Sequence, residues 1–319
     1  MVQKSFYMRV FYIHKEVVMN TKSRVAGVFI GLTTGDALGV PVEKKECGSF
    51  EYVDEMVGGG IYNLPPGAWT DETATALCLA QSLLITHDLD VYDLAERFKR
   101  WVENGENSST GVCVGIEQKL LDFVENYGKT ERFDSNSLNQ KVRGNSVLAR
   151  AGPVACIHWD NLDMASKIAR QQSYLTHSSE IVAAASEYLT LALSHLIAGR
   201  NWDFVCDMPI KDDWPSEIEL IAKGQWIHKK IDNLKPTKNV VDILEASVWC
   251  IGNSQSFEES LTKAVNLGGN SDTVGAVTGQ LAGAVYGLEA IPIRWFDQLL
   301  KIEKLTDVAM EMVELSRTE

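Results

Sequence analysis

Three short segments of this 319-residue chain combine turn-forming glycines with oxygen-bearing side chains: GDALGVPVE at 35–43, WTDET at 69–73 and GGNSDT at 268–273. Carboxylate, hydroxyl and amide oxygens suit hard divalent cations such as Mg2+ or Mn2+, which prefer all-oxygen ligand sets. Thr70-Asp71-Glu72 follows Pro65-Pro66-Gly67 and opens one helical pattern, and Ser271-Asp272-Thr273 opens another. Two helix starts can therefore aim carboxylates and hydroxyls at a common point. Taken singly, each segment also reads as an ordinary cap, because Thr and Asp stabilise helix N-termini. The chemical reading rests on the pair.

Other signatures are missing. The chain has no GxSxG elbow, no GxxxxGK[ST] phosphate loop and no HExxH zinc helix. Gly58-Gly59-Gly60 and Gly268-Gly269 give no GxGxxG after a convincing strand, which argues against a dinucleotide fold.

Helical periodicity recurs from end to end, while the alternation expected of sheet strands is hard to find. The pattern predicts an all-α chain of about a dozen helices, over roughly 23–38, 71–84, 91–104, 110–126, 146–157, 162–173, 179–199, 216–230, 240–252, 256–267, 272–287 and 294–315. Gly275, Gly279, Gly283 and Gly287 fall four apart on one face of the 272–287 helix, a spacing that predicts tight packing against another helix or loop. The stretch 200–216 reads as a loop, either a surface insertion or a plain connection. Neither a fixed repeat nor a long Pro/Gly/Ser linker divides the chain, so one helical domain is expected.

Hydrophobic residues make up 45% and charged residues 23%, enough for a sizeable core and unlike a disordered chain. The formal charge of -13 argues against binding to nucleic-acid backbones, which requires a basic face. No apolar run is expected to reach the roughly 18–20 residues that cross a bilayer, and the N-terminus lacks a convincing signal peptide, so no membrane partner is expected. Six cysteines without a CxxC pair suit reduced, core-packed thiols and a cytoplasmic location.

GDALGVPVE, WTDET, GNSVLARAGPV, LTH and GGNSDTVGAVTGQLAGAVYG occur in the order seen in the ADP-ribosylglycohydrolase family, which the chain resembles over about residues 24–290. The resemblance implies a single compact orthogonal helical bundle over 23–319, preceded by an extension over 1–22. It implies hydrolysis that removes ADP-ribose from modified protein side chains, with arginine expected, and up to two Mg2+ or Mn2+ ions. By matched position, Thr70, Asp71 and Glu72 fall on the family's first ligand triplet, and Asn270, Asp272 and Thr273 on its second. Glu43 matches the catalytic or gating glutamate and shares the expected catalytic role with Asp272. Gly144, Asn145 and Ser146 match the loop near the distal ribose and phosphates, and His177 a ligand-contacting histidine. On its own, His177 reads as a satisfied core residue. Asp36 is expected to tie down its own glycine turn.

Two positions depart from the family pattern. Asn270 stands where an aspartate is usual and offers a carbonyl oxygen without charge, and Glu72 stands in place of a shorter aspartate. One well-bound ion and one weaker one are expected. The same departures motivate a rival reading, a catalytically weakened protein that binds ADP-ribose or occludes a toxin. A third reading is hydrolysis of a free metabolite such as O-acetyl-ADP-ribose. Some members of the family are immunity proteins against ADP-ribosyltransferase toxins. Phe6, Tyr7, Phe11 and Tyr12 in the extension would suit an arm that grips a cognate transferase, although an ordered surface segment or an upstream start codon is the favoured explanation.

Overall fold

The computed structural model describes residues 20–130 and 141–316. The expected aromatic arm therefore lies outside the described residues. Within them the regular structure is helical, and the only sheet-like pairing is an isolated bridge between Gly59 and Leu64.

Two glycine-lined helices organise the rest. Helix α1 (Thr21–Gly39) carries Gly27, Gly31, Gly35 and Gly39, again four apart, and α12 (Ser271–Tyr286) carries Gly275, Gly279 and Gly283 of the predicted face, while Gly287 lies just past its end at φ 78°. A Cβ on Gly27, Gly31, Gly35 or Gly39 would meet the backbone of Gly283, Gly279, Gly275 or Ser271, in that order. The pairing ascends one helix while descending the other, so the two run antiparallel with their backbones in direct contact. Dispersion between closely packed backbones replaces the side-chain layer of an ordinary helix pair. This register sets the end of α1, and the Val40–Val42 turn leading to Glu43, beside the start of α12.

Around this pair lie α2 (Asp71–Thr86), α3 (Val91–Asn104), α4 (Gln118–Thr130), α5 (Ala151–His158), α6 (Leu162–Tyr174) and α7 (Glu180–Ile197). They are followed by α8 (Trp202–Val205), α9 (Ser216–Ala222), α10 (Val240–Gly252), α11 (Phe257–Val265), α13 (Ile293–Gln298) and α14 (Ile302–Leu315). One continuous hydrophobic cluster draws on nearly all of them.

Four boundaries differ from expectation, each for a local reason. The 110–126 helix begins only at Gln118, because Gly111 and Gly115 take left-handed backbone at φ 84° and 86°. The 146–157 helix begins at Ala151 after a series of turns. Gly224 at φ 67° ends α9 at Ala222 and hands the chain to a 3₁₀ turn at Gln225–His228. Lys301 at φ 52° splits 294–315 into α13 and α14.

The 200–216 stretch contains α8, and Lys211 and Trp214 anchor its end to the buried Glu187 carboxylate at 2.7 and 2.9 Å, as a firm connection. The membrane expectation also needs correction: Thr21–Val42 and Glu180–Ile197 are long and apolar enough to span a bilayer. They are 100% and 89% buried in the fold, as core helices of a packed protein are. Cys78, Cys156 and Cys250 are buried as expected, whereas Cys113 and Cys206 are half-buried and Cys47 is exposed.

Candidate active site

Asp36 is fully buried on α1, one turn before Gly39, and faces the start of α2. The amides of Thr70 and Thr73 donate to it at 3.0–3.1 Å, and their hydroxyls donate at 2.8 and 2.7 Å. It therefore anchors a helix start 34 residues away, which corrects the expectation that it ties down its own glycine turn. Burial pushes its carboxyl up to about 6, against the lowering effect of these four donors. Thr70 makes no cap to its own helix, because its hydroxyl serves Asp36. The ordinary-cap explanation of WTDET thus does not describe the structure.

At the start of α12, Gly268 and Gly269 take left-handed backbone at φ 67° and 63° and turn the chain sharply. Backbone bonds hold this turn: Gly269 N–H donates to Lys45 O at 2.8 Å, Lys44 N–H to Gly269 O at 2.6 Å, and Asn270 N–H to Pro236 O at 2.8 Å. Asn270 makes no side-chain cap. Its Nδ2 donates to Thr273 Oγ1 at 2.5 Å, and the Thr273 hydroxyl donates to Glu72 Oε1 at 2.5 Å. The two helix starts therefore touch.

Between them opens a cavity of about 250 Å3 lined by Glu43, Asp71, Glu72, Asn145, Ser146, Asn270, Asp272 and Thr273 among others. Roomier recesses exist, including one of about 530 Å3 beside Arg143 and Tyr174, but the carboxylates gather in the smaller one. Asp71, Glu72 and Asp272 are all raised above the usual carboxylate range, first by burial and then by one another's charge or that of Asp36 and Glu43. Tyr62 on the wall is raised as well, by burial and by Glu43, Asp71 and Asp272. Glu43 meets the ammonium of Lys44 at 3.3 Å, and that ammonium stands 5.7 Å from the Tyr62 ring. Lys44 holds left-handed backbone at φ 64°, an unusual conformation for a side-chain-bearing residue that places its amide on Gly269.

The remaining expected residues fall in two places. Asn145 and Ser146 line the cavity. Gly144 and His177 lie behind it, where a Cβ on Gly144 would overlap both His177 and Glu117. His177 is fully buried and meets the cavity only through Glu117, with Nε2 at 3.3 Å from Oε1. Sequence reading missed Glu117, which sits just before α4 with no motif around it except Gly115 two residues earlier. Burial would raise its carboxyl, but the His177 and Ser146 donors and the nearby Arg150 charge outweigh this and lower it.

The donor chemistry fits a divalent cation. All candidate ligands offer oxygen, and among the described residues the three raised carboxylates have no cationic side chain as partner and Glu72 Oε2 is buried with no hydrogen bond. Among the described residues no three His, Cys, Asp or Glu side chains stand together in a group that could hold a metal ion as they are placed. The oxygens are instead tied off in pairs, such as Thr273 with Glu72.

Comparison with known proteins decides the family. The sequence profile of the ADP-ribosylglycohydrolase family matches residues 18–319. The chain belongs to the ADP-ribosylglycohydrolase family. Among relatives of this family member, the ADP-ribosylarginine hydrolase Tri1 of Serratia proteamaculans is 33% identical, covering 93% of this chain and 80% of the relative. The ADP-ribosyl-[dinitrogen reductase] glycohydrolase of Rhodospirillum rubrum is 28% identical, covering 88% and 92%. A solved structure titled "ADP-ribosylglycohydrolase-related protein complex" superposes with a TM-score of 0.80 at 33% identity, covering 94% of this chain and all of that one. The all-α fold is thus of the ADP-ribosylglycohydrolase type, and the chain is a glycosidic-bond hydrolase of a generally metal-dependent family.

Proposed function

We propose that this chain cleaves the N-glycosidic bond between ADP-ribose and an arginine side chain of a modified protein, as the name of its Serratia relative describes for that protein. One observation carries the reading: the antiparallel glycine seam delivers Glu43 and Asp272 to a cavity that Asp71 and Glu72 enter from a second helix start. Mg2+ or Mn2+ would be held by Asp71, Glu72 and Asp272 once these carboxylates drew together around it, with oxygens from Asn270 and Thr273 in support, while Thr70, whose hydroxyl serves Asp36, is not among the cavity-lining residues. When bound, such an ion offsets the buried negative charge and favours ordered ribose hydroxyls.

The chain's own groups supply the rest. In the reaction the C1–N bond breaks, a C1–O bond to water forms, and the guanidine leaves with a proton. Glu43 stands at the cavity wall with a lysine ammonium beside it, placed to pass a proton between water and leaving group. Asp272 and Asp71 line the same cavity, where carboxylates would favour the positive charge that develops at C1. The Asn145 amide, with one N–H on Thr237 O, keeps its other N–H for a ribose or pyrophosphate oxygen, and the Ser146 oxygen, whose proton goes to Glu117, can accept from a ribose hydroxyl, both without adding charge.

A second reading, a protein that holds ADP-ribose or occludes a transferase without turnover, is favoured by Asn270, whose amide occupies Thr273 and through it Glu72. Release of ADP-ribose from an arginine-ADP-ribosylated protein with Mg2+ or Mn2+, run beside Glu43→Ala and Asp272→Ala, separates the two. Metal-dependent release lost in both variants supports the hydrolase; binding of ADP-ribose without release supports the second reading.

A further inference from the structure

Behind the cavity lies a chain of polar side chains that the oxygen-rich segments do not account for. Arg150, just before α5, is fully buried, and its guanidinium stands 5.6 Å from the Phe98 ring centroid. Its Nε donates to Gln172 Oε1 at 2.6 Å and its Nη2 to Thr176 Oγ1 at 3.2 Å. Thr176 Oγ1 lies 2.8 Å from Nδ1 of His177, and Nε2 of His177 lies 3.3 Å from Oε1 of Glu117. The Ser146 hydroxyl donates to the other Glu117 oxygen. A continuous path thus joins a buried cation to a carboxylate on the cavity wall.

The donor inventory fixes the direction of every link. A guanidinium can only donate, so Thr176 Oγ1 accepts from Arg150 and keeps one proton to give. Nδ1 of His177 is the acceptor it reaches. The proton of the neutral imidazole then sits on Nε2, where it points at Glu117. With the proton on Nδ1 instead, the Nε2 lone pair would face a carboxylate and the Thr176 proton would lose its acceptor in a buried place, a cost of about 1–3 kcal/mol. An imidazolium would strand the Thr176 proton in the same way.

We propose that Arg150, acting through Thr176, fixes His177 as its Nε2–H tautomer and so holds Glu117 as a directed hydrogen-bond acceptor for a donor on the substrate. The functional half of this inference rests on the hydrolase reading above. Arg150 and Thr176 are positioning residues, and Glu117 is the group that meets substrate. Each Glu117 oxygen takes one donor from the protein and retains a lone pair, and ribose hydroxyls or the guanidinium N–H groups are donors that would use it. The Gly144–Ser146 loop is seated on the same pair, since Gly144 has no room for a Cβ against Glu117 and His177. A change of tautomer would therefore disturb both the acceptor and the loop.

The test is nitrogen NMR of the full chain with 15N-labelled histidine at neutral pH, paired with steady-state release of ADP-ribose from an arginine-ADP-ribosylated protein. Wild-type His177 is expected with Nδ1 bare and Nε2 protonated. Thr176→Val, which keeps shape and loses the hydroxyl, is expected to abolish that fixed pattern and raise KM about tenfold with kcat within about threefold, the loss of one charge-assisted bond. Thr176→Ser restores both. A wild-type His177 protonated on Nδ1 or on both nitrogens overturns the proposal, as does Thr176→Val with an unchanged spectrum. A changed spectrum with unchanged KM overturns the role of Glu117. If Thr176→Val does not fold, the wild-type spectrum and Glu117→Gln, expected to raise KM similarly, still decide. Absence of release by wild type, with the expected spectrum present, is a failure of the hydrolase reading instead, and ADP-ribose affinity by calorimetry then replaces KM.

Discussion

The two helix starts that meet at the cavity are held in opposite ways. The start of α2 is held chiefly by one side chain: Asp36 takes both amides and both hydroxyls of Thr70 and Thr73, with added ties just before the helix from Ser109 Oγ to Trp69 O at 2.7 Å and Leu300 N–H to Gly67 O at 3.0 Å. The start of α12 is held mainly by backbone, through Gly268 and Gly269, Pro236 O and Lys45 O, with the Ser271 hydroxyl on Gly39 O at 2.7 Å as an added tie. A side-chain anchor concentrates the positioning of Asp71 and Glu72 in one residue. A backbone anchor spreads the positioning of Asp272 over many, and leaves Asn270 and Thr273 free to differ in chemistry without moving the helix.

The glycine seam underlies both and should show the largest effect. Gly35→Ala puts a methyl group into the backbone of Gly275, which cannot yield as a side chain would. Destabilisation of about 3 kcal/mol or more is expected in urea unfolding, at the upper end for overpacking. A smaller loss would mean that the two helices can separate and that the seam does not set the distance between the two starts. Next comes Asp36→Ala, which strands four donors at the start of α2. A loss of about 2–4 kcal/mol is expected, together with a fall in kcat, because each buried unsatisfied donor carries its desolvation cost. Retained kcat in a folded variant would show that α2 does not depend on this anchor.

How much of this was legible in the sequence follows from the same contrast. Helix existence and the α12 glycine face could be read because both are periodic and local. The matching face on α1, GVFIGLTTGDALG, has the same spacing and was overlooked because the helix is apolar all round, with no polar face to set the glycines apart. Asp36 looked like a turn residue because its partners lie 34 and 37 positions away, a distance no local pattern encodes. The oxygen-rich segments were found by composition and do converge on one cavity. Glu117 goes unread because a single carboxylate carries no signature, and Arg150, although it lies within GNSVLARAGPV, shows no role until the fold joins the two through Thr176 and His177. Helix ends failed where Gly111, Gly115, Gly224 and Lys301 adopt left-handed backbone within otherwise helical patterns.

Asn270→Asp sharpens the comparison at its chemical end. The substitution removes the amide donor on Thr273 and adds a carboxylate next to Glu72, while the backbone bond from Asn270 N–H to Pro236 O stays. Tighter Mn2+ binding by about tenfold is expected in calorimetry, since a charged oxygen replaces a neutral one. Unchanged or weaker binding would mean that position 270 does not face the ion.

The smallest expected effect tests the backbone anchor itself. Ser271→Ala removes the hydroxyl tie to Gly39 O, one hydrogen bond among several that hold the same turn. The carbonyl left behind lies inside the seam, so some cost remains, but Gly269, Asn270 and Lys44 keep their backbone bonds. A loss of about 1 kcal/mol is expected in urea unfolding, with kcat and KM unchanged. The informative quantity is the ratio to Asp36→Ala, because both variants are alanine substitutions of a buried side chain that ties α1 to a cavity-forming helix start. If Ser271→Ala costs as much and also lowers kcat, α12 is held chiefly by a single side chain as α2 is, and the freedom ascribed to Asn270 and Thr273 disappears with the distinction.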